Sequence, residues 1–462
     1  GNDRWLDPFT IALDQAFEGT WYVSTMELQL ASFQFCVACR GLRTLRVIVH
    51  MSMPLSLWGD DNVLDDSLNT PPRRRLPCLR AAGVAWKMPA EHFVPVLVQA
   101  ALLKDVTWMM RYGNSGDLCH ETITASWPPA LQELSLNCKV YEAIDWASLP
   151  SCLERLSLAG RFDQPVESVA WPVSLKRLTL GGCFNKSIAN VSWPVSLQHL
   201  AFGKTFNQPL TGVAWPPSLL RLALGASFDQ PIVNVAWPAN LLHLTFDRIF
   251  SNSITGVVWP ASLHHLALEG MEQNSIADVV WPDSLLRLWV GYDVDGTLDG
   301  VVWPAFLTQL VLGFGFDGPI TDIMWPESLR RLELGRNFNH SIAQVVWPSS
   351  LQRLDCGARF NQSITAVAWP ASLTQLIIGH YFNQPISEVV WPASLKMLRF
   401  GDKFNQPIVQ VVWPIALESL AFGRQFDQPI EDVVWPASLK YLAFENMPHL
   451  RTAAVVWPPN LK

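Results

Sequence analysis

Arg155, Arg177, His199, Arg221, His243, His265, Arg287, Gln309, Arg331 and Arg353 stand at every twenty-second position, and nine of these ten carry a guanidinium or an imidazole. A column of that kind can recognise anions. Guanidinium forks bind carboxylate and phosphate, and imidazole joins them once protonated. A merely solvated face would draw on Glu, Lys, Ser and Thr as well. Two residues after each member lies a small one, from Ser157 through Thr179, Ala201, Ala223, Thr245 and Ala267, which leaves the basic groups uncovered. Trp289 then breaks that second column. It is the only tryptophan from residue 171 onward outside the 22-residue register, and an exposed aromatic there would be a hot spot for a partner. The Phe column lapses nearby, at Glu272 and Val294. Glu333 and Asp355 are expected to neutralise Arg331 and Arg353, so the site centres on Arg155, Arg177, His199, Arg221, His243, His265, Arg287 and Trp289. Three histidines in the row predict stronger anion binding below about pH 6.5.

Other chemistries find less support. Cys36 and Cys39 form a CxxC, but no second pair or His pair stands at the spacing that completes four ligands. The stretch YDVDGTLDG, with Asp293, Asp295 and Asp299, misses the spacing of a calcium loop and reads as a turn. No G-x-S-x-G, H-E-x-x-H or Walker phrase occurs, so no catalytic, cofactor or metal residue is assigned.

A side-chain column at constant spacing needs a periodic scaffold, and the sequence supplies one. Tryptophans recur at 22-residue steps from Trp171 to Trp457, and a leucine column keeps the step from Leu131 to Leu461, each leucine preceded three residues earlier by a proline. Leu149 occupies the tryptophan's place in its unit, so that column asks for bulk and not for indole. One unit reads L-x-x-L-x-(L/F)-G-x-x-F-(N/D)-Q-(P/S)-I-x-x-V-(V/A)-W-P-x-S. Its opening alternates as a strand buried on one face. The W-P step lacks a donor, which predicts an outer wall that is extended or 3₁₀ and not α-helical. The Asn/Asp column is expected to satisfy turn backbone. Stacked units bury a common core that single units cannot. The expected fold is a β-rich solenoid of about sixteen coils with parallel strands on the concave face and little helix.

The phrase FNQPI with W-P-x-S-L-x-x-L-x-F-G at 22 residues resembles the FNIP repeat, a leucine-rich-repeat variant of amoebae, other protists and some giant viruses. The resemblance covers about residues 127–462, with Trp-Pro where the family commonly has Ile-Pro or Leu-Pro. It implies a curved protein-binding scaffold or subunit of a larger assembly, without activity of its own. Where such repeats follow an F-box, it implies a substrate adaptor of a ubiquitin ligase. Residues 1–126 show no convincing F-box and no kinase Gly-rich loop. Segments around Leu42 and Leu45, Leu79–Trp86 and Leu103–Trp108 read there as irregular leucine-rich strands of an N-terminal cap.

Bulk properties agree. A chain of 462 residues is long for one compact core. A net charge of −7 gives no global attraction to nucleic acid or anionic membrane, and no apolar run approaches the roughly 18 residues of a membrane helix. The expected partner is a protein, possessing an acidic extended segment; a polyanion or nucleic acid is the alternative. The last repeats contain no Cys and no secretory signal is read, so an intracellular setting is expected. Three of the four N-x-S sequons, at Asn185, Asn190, Asn339 and Asn361, fall in or beside the repeating FN phrase and are by-products of it.

Overall fold

The computed structural model describes residues 131–138, 149–247, 249–270, 276–291, 298–445 and 455–462, with residues 136–138 and seven short strands before residue 131 given as backbone alone. The chain divides into two compact units, residues 1–208 with 212–225, and residues 209–211 with 226–462. Among the described residues there is no helix of any kind.

Each repeat contributes one strand of three to six residues, the first at Glu133–Cys138 and the fifteenth at Tyr441–Phe444. Five of these strands belong to the first unit and ten to the second. Neighbours pair in parallel without slippage, Leu178 opposite Leu200 in one unit and Leu332 opposite Leu354 in the other. The strands Thr25–Leu28, Thr44–Val47, Ala81–Gly83 and Asp105–Arg111 pair in the same parallel sense and lead to Glu133–Cys138. Three tight turns shape a typical coil. The amide of Leu175 donates to the Pro172 carbonyl at 3.0 Å, Phe184 donates to Gly181 at 3.1 Å, and Val191 donates to Ile188 at 3.3 Å. Proline sits where no ladder bond is asked of it. Among the described residues the outer wall is thus extended chain and turns, without 3₁₀ segments.

Leucine, phenylalanine, isoleucine and tryptophan columns fill the interior. Phe184, Phe206, Phe338 and Phe382 are fully buried, and successive rings stack 5.9–6.2 Å apart. Successive indoles lie 6.2–6.4 Å apart. Strands repeat at about 4.8 Å. Equivalent atoms are therefore closest along the strands and farthest apart on the tryptophan wall, so within each unit the coils fan open away from the strand face. Trp193, Trp259, Trp347 and Trp435 are only 7–8% exposed, yet their Nε1 groups make no hydrogen bond among the described residues. The indole serves as bulk, as Leu149 in the same column indicates.

Two side-chain ladders tie the coils together. The Oδ1 of Asn361 accepts the backbone N–H of Asn383 at 2.9 Å, Asn383 does the same for Asn405, and Asn405 for Asp427. Asp163, Asn185 and Asn207 repeat the pattern in the first unit. The column thus satisfies turn backbone one coil away. A second ladder runs through the serine of W-P-x-S: Ser174 donates to the Leu153 carbonyl at 2.7 Å, and Ser196, Ser328, Ser372 and Ser394 make the equivalent bond. Ala416 breaks this second ladder opposite the Leu395 carbonyl. Ala416→Ser is expected to stabilise the second unit by about 0.5–1.5 kcal/mol, the net worth of one such bond. Chemical denaturation of the two proteins checks it, and an unchanged or lowered midpoint contradicts it.

Candidate functional site

Strand periodicity decides which side chains leave the core. In RLTL, the strand Arg177–Leu180, the leucines are buried while Arg177 and Thr179 face out, and RLWV, the strand Arg287–Val290, repeats this with Arg287 and Trp289. The parallel register then lines the basic residues up. In the first unit Arg155 lies opposite Arg177, Arg177 opposite His199, and His199 opposite Arg221. In the second, His243 lies opposite His265 and His265 opposite Arg287. Adjacent members are about 5 Å apart, so each pair of full charges repels by about 0.8 kcal/mol even in water. Stability alone gives no reason for such a row.

The members differ in how they are met. Arg155 Nη1 bonds Glu133 Oε2 at 3.0 Å, an exposed ion pair with the preceding residue of its own column. Glu133 lies one repeat before the basic run begins and was not counted among its neighbours. Arg177, His199 and Arg221 have no side-chain hydrogen bond or ion pair among the described residues. Burial, and then the charges of Arg177 and Arg221, hold the His199 imidazole below its ordinary value of 6.5. Protonation at this member therefore comes at lower pH than a free histidine would suggest. His243 and His265 pack with ring centroids 5.5 Å apart.

Arg287 also lacks a side-chain partner among the described residues, and Trp289, two residues on, is 43% exposed. Its register partners Ala267 and Val311 are 3% and 8% exposed although they lie on the same outer face, whereas Ala201 and Ala223 at equivalent positions stay half-exposed. The indole lies between the two buried residues and shelters them. Glu272 and Val294, where the Phe column lapses, fall outside the described residues.

Past Arg287 the basic character fades. Arg331 is held by Glu333, with Nε donating to Oε1 at 2.7 Å. Asp355 does not pair with Arg353. Its Oδ1 accepts the amide of Gly357 at 3.1 Å, and Arg353 Nη1 donates to Gln375 Oε1 at 3.1 Å. Burial raises the Asp355 carboxyl, with the Gly357 bond and both arginines opposing and Glu333 adding to the rise. The short Asp side chain reaches its own turn more readily than a guanidinium that extends away from the sheet. Gln375, Met397, Ser419 and Tyr441 continue the column without charge.

No group of three or more His, Cys, Asp or Glu suited to a metal occurs among the described residues. Asp293 and Asp295 lie outside them, as do the side chains of Cys36 and Cys39. A different exposed row was not foreseen from the sequence: the residue before each tryptophan of the register points outward, with Val258, Val280, Met324 and Val412 79–88% exposed. The alternation of V-V-W, in which the first Val and the Trp share the buried face, is the signal that could have shown it.

The profile of the FNIP repeat matches residues 162–205, 184–227, 206–248, 360–403 and 404–446. The coils within residues 162–248 and 360–446 are FNIP repeats. Among solved structures, CroV588, described as a novel circular leucine-rich-repeat protein, is 31% identical over 79% of this chain with a TM-score of 0.66, and the chain spans 60% of that protein. Internalin InlF of Listeria monocytogenes aligns over 68% of this chain and 80% of its own, at 15% identity and a TM-score of 0.36. TLR13 in its complex with ssRNA13 aligns over 95% of this chain and 74% of its own, at 16% identity and 0.48. No curated protein sequence matches the chain. The FNIP coils form a parallel solenoid of leucine-rich-repeat type, an architecture that generally serves as a protein-interaction scaffold. No helix among the described residues is long and apolar enough to cross a membrane.

Proposed function

We propose that this FNIP-repeat chain is a non-catalytic scaffold or adaptor subunit whose strand face takes an acidic, extended segment of a partner protein. One observation carries the reading: on a single strand Arg287 leaves the sheet without a side-chain partner among the described residues, and beside it Trp289 is 43% exposed. An aromatic anchor beside an uncovered guanidinium has the composition of a binding hot spot. Arg177, His199 and Arg221 offer uncovered basic groups in the first unit, with Arg155 alongside in its ion pair, and His243 and His265 adjoin Arg287 in the second. A polyanion reading asks for a basic run broad enough to track many phosphates. Glu133 takes Arg155 where the run begins, Glu333 takes Arg331 past Arg287, and the net charge is −7. An adaptor for ubiquitin ligation is the same scaffold with a degradation substrate as its partner. Residues 1–126 serve in this reading as an irregular N-terminal cap, supported by the parallel strands that lead to Glu133–Cys138. The free thiols of Cys152, Cys183 and Cys356 support an intracellular setting.

Capture of partners from the source cell, followed by affinity measurement on the protein recovered, tests the proposal. Trp289→Ala and Arg287→Gln should each weaken that partner by about 2 kcal/mol, close to thirtyfold. A Trp289→Ala affinity within about 0.5 kcal/mol of the parent removes the hot spot, and binding unchanged in both variants removes the strand face.

A further inference from the structure

Arg177, His199 and Arg221 occupy one position on three successive parallel strands, in direct register. Their Cα atoms are spaced by about 4.8 Å, so the imidazole sits midway between two guanidinium stems about 10 Å apart. None of the three has a side-chain partner among the described residues. The run is bounded on one side, where Glu133 takes Arg155. Thr179, Ala201 and Ala223, next along the three strands, are uncharged and too short to cover the long side chains.

We propose that Arg177, His199 and Arg221 form a site for one dianionic phosphate group, carried on a phosphorylated serine or threonine of the partner segment. The inference rests on the strand-face reading above and adds the chemistry of what is recognised. A carboxylate is satisfied by a single guanidinium fork, which would leave the second arginine and the histidine idle. A phosphate monoester brings close to two charges and three strong acceptor oxygens, enough for a guanidinium on each side and an imidazole N–H between them. The groups that face His199 from the flanking strands are Arg177 and Arg221, both cationic, and its own strand adds no charge. Lys176, one residue before Arg177, is held by Glu154 at 2.8 Å. In the free protein His199 is accordingly short of its proton at neutral pH. An anion seated between the arginines reverses that field, so binding draws a proton onto the ring. Phosphodiesters carry one charge each, are spread along a chain, and would gain little from a triad confined to three strands.

Histidine-selective ¹⁵N labelling of the whole chain follows the His199 ring directly. Adding inorganic phosphate, a phosphoserine peptide or sodium sulfate should raise its pKa by at least one unit, a tenfold gain in proton affinity, relative to chloride at equal ionic strength. Sulfate matters because it stays a dianion throughout, which separates titration of the ring from titration of the ligand. Arg177→Gln with Arg221→Gln should abolish the shift, and Arg177→Lys, which keeps the charge but loses the fork, should reduce it severalfold. The phosphoserine peptide should bind at least tenfold tighter than the same peptide with glutamate. A ring that responds to chloride as to phosphate, equal affinity for the glutamate peptide, or tighter binding of a short single-stranded oligonucleotide with a steep salt dependence each overturns the proposal. The partner assay on Trp289 and Arg287 reads a different unit, so either idea can fail alone.

Discussion

Phe382→Ala is expected to lower the stability of its own and adjoining coils by about 3–5 kcal/mol. The side chain is fully buried, and its ring stacks on Phe360 at 6.1 Å and Phe404 at 6.0 Å, with Phe400 at 6.3 Å. Removal leaves a cavity between two coils that the backbone ladder and the Asn361–Asn383–Asn405 bonds hold at fixed spacing, so the gap cannot close. In a repeat array each coil answers mainly to its neighbours. Hydrogen exchange should therefore show the loss first in the strands Arg353–Asp355, Gln375–Ile377 and Met397–Arg399, with Arg177–Leu180 keeping its protection. An equal loss in every strand would mean that the array opens as one cooperative body, and an effect below about 1 kcal/mol would mean that the ring column is not what holds the coils.

How far the sequence can be read follows from the range of each interaction. Columns that act within a coil or on the identical neighbour, such as Leu178 on Leu200 or Phe184 on Phe206, impose the same demand every 22 residues and are visible as period. The outward placement of Arg177, Arg287 and Trp289 follows from the same alternation. What escapes is any choice among partners. Glu133 captures Arg155 because the column extends one repeat further back than the basic run, and Asp355 prefers the Gly357 amide to the guanidinium two residues away. The serine ladder was present as a letter in the repeat, but its acceptor lies 21 residues earlier and only the stacked coil shows it. The glycine that follows many of the strands was likewise visible without its cause, since nothing within one repeat asks for it.

That cause predicts opposite outcomes for two adjacent glycines. A Cβ on Gly181 would run into the Leu158 carbonyl oxygen and lie 2.8 Å from Ala159 Cα and 2.9 Å from its carbonyl carbon, all backbone of the preceding coil. A Cβ on Gly182 would meet only the Gly160 oxygen, at 3.9 Å, an ordinary contact. Neither residue is among the glycines with positive φ, so conformational preference does not separate them. Backbone fixed by a parallel ladder cannot step aside as a side-chain tip can. Gly181→Ala should therefore force the strands Arg155–Gly160 and Arg177–Leu180 apart at their ends, at a cost of about 3 kcal/mol or more, beyond ordinary overpacking. Gly182→Ala should be neutral or stabilising by about 0.4–1 kcal/mol, because alanine restricts the unfolded chain where the folded one has room. Thermal and denaturant unfolding of the two variants side by side decides the matter. Similar stabilities would show that coil-to-coil approach is not what reserves the position for glycine. The wide gap expected would identify Gly203, Gly335 and Gly379, whose added Cβ atoms also meet backbone of the preceding coil, as the positions that set how closely these repeats can stack.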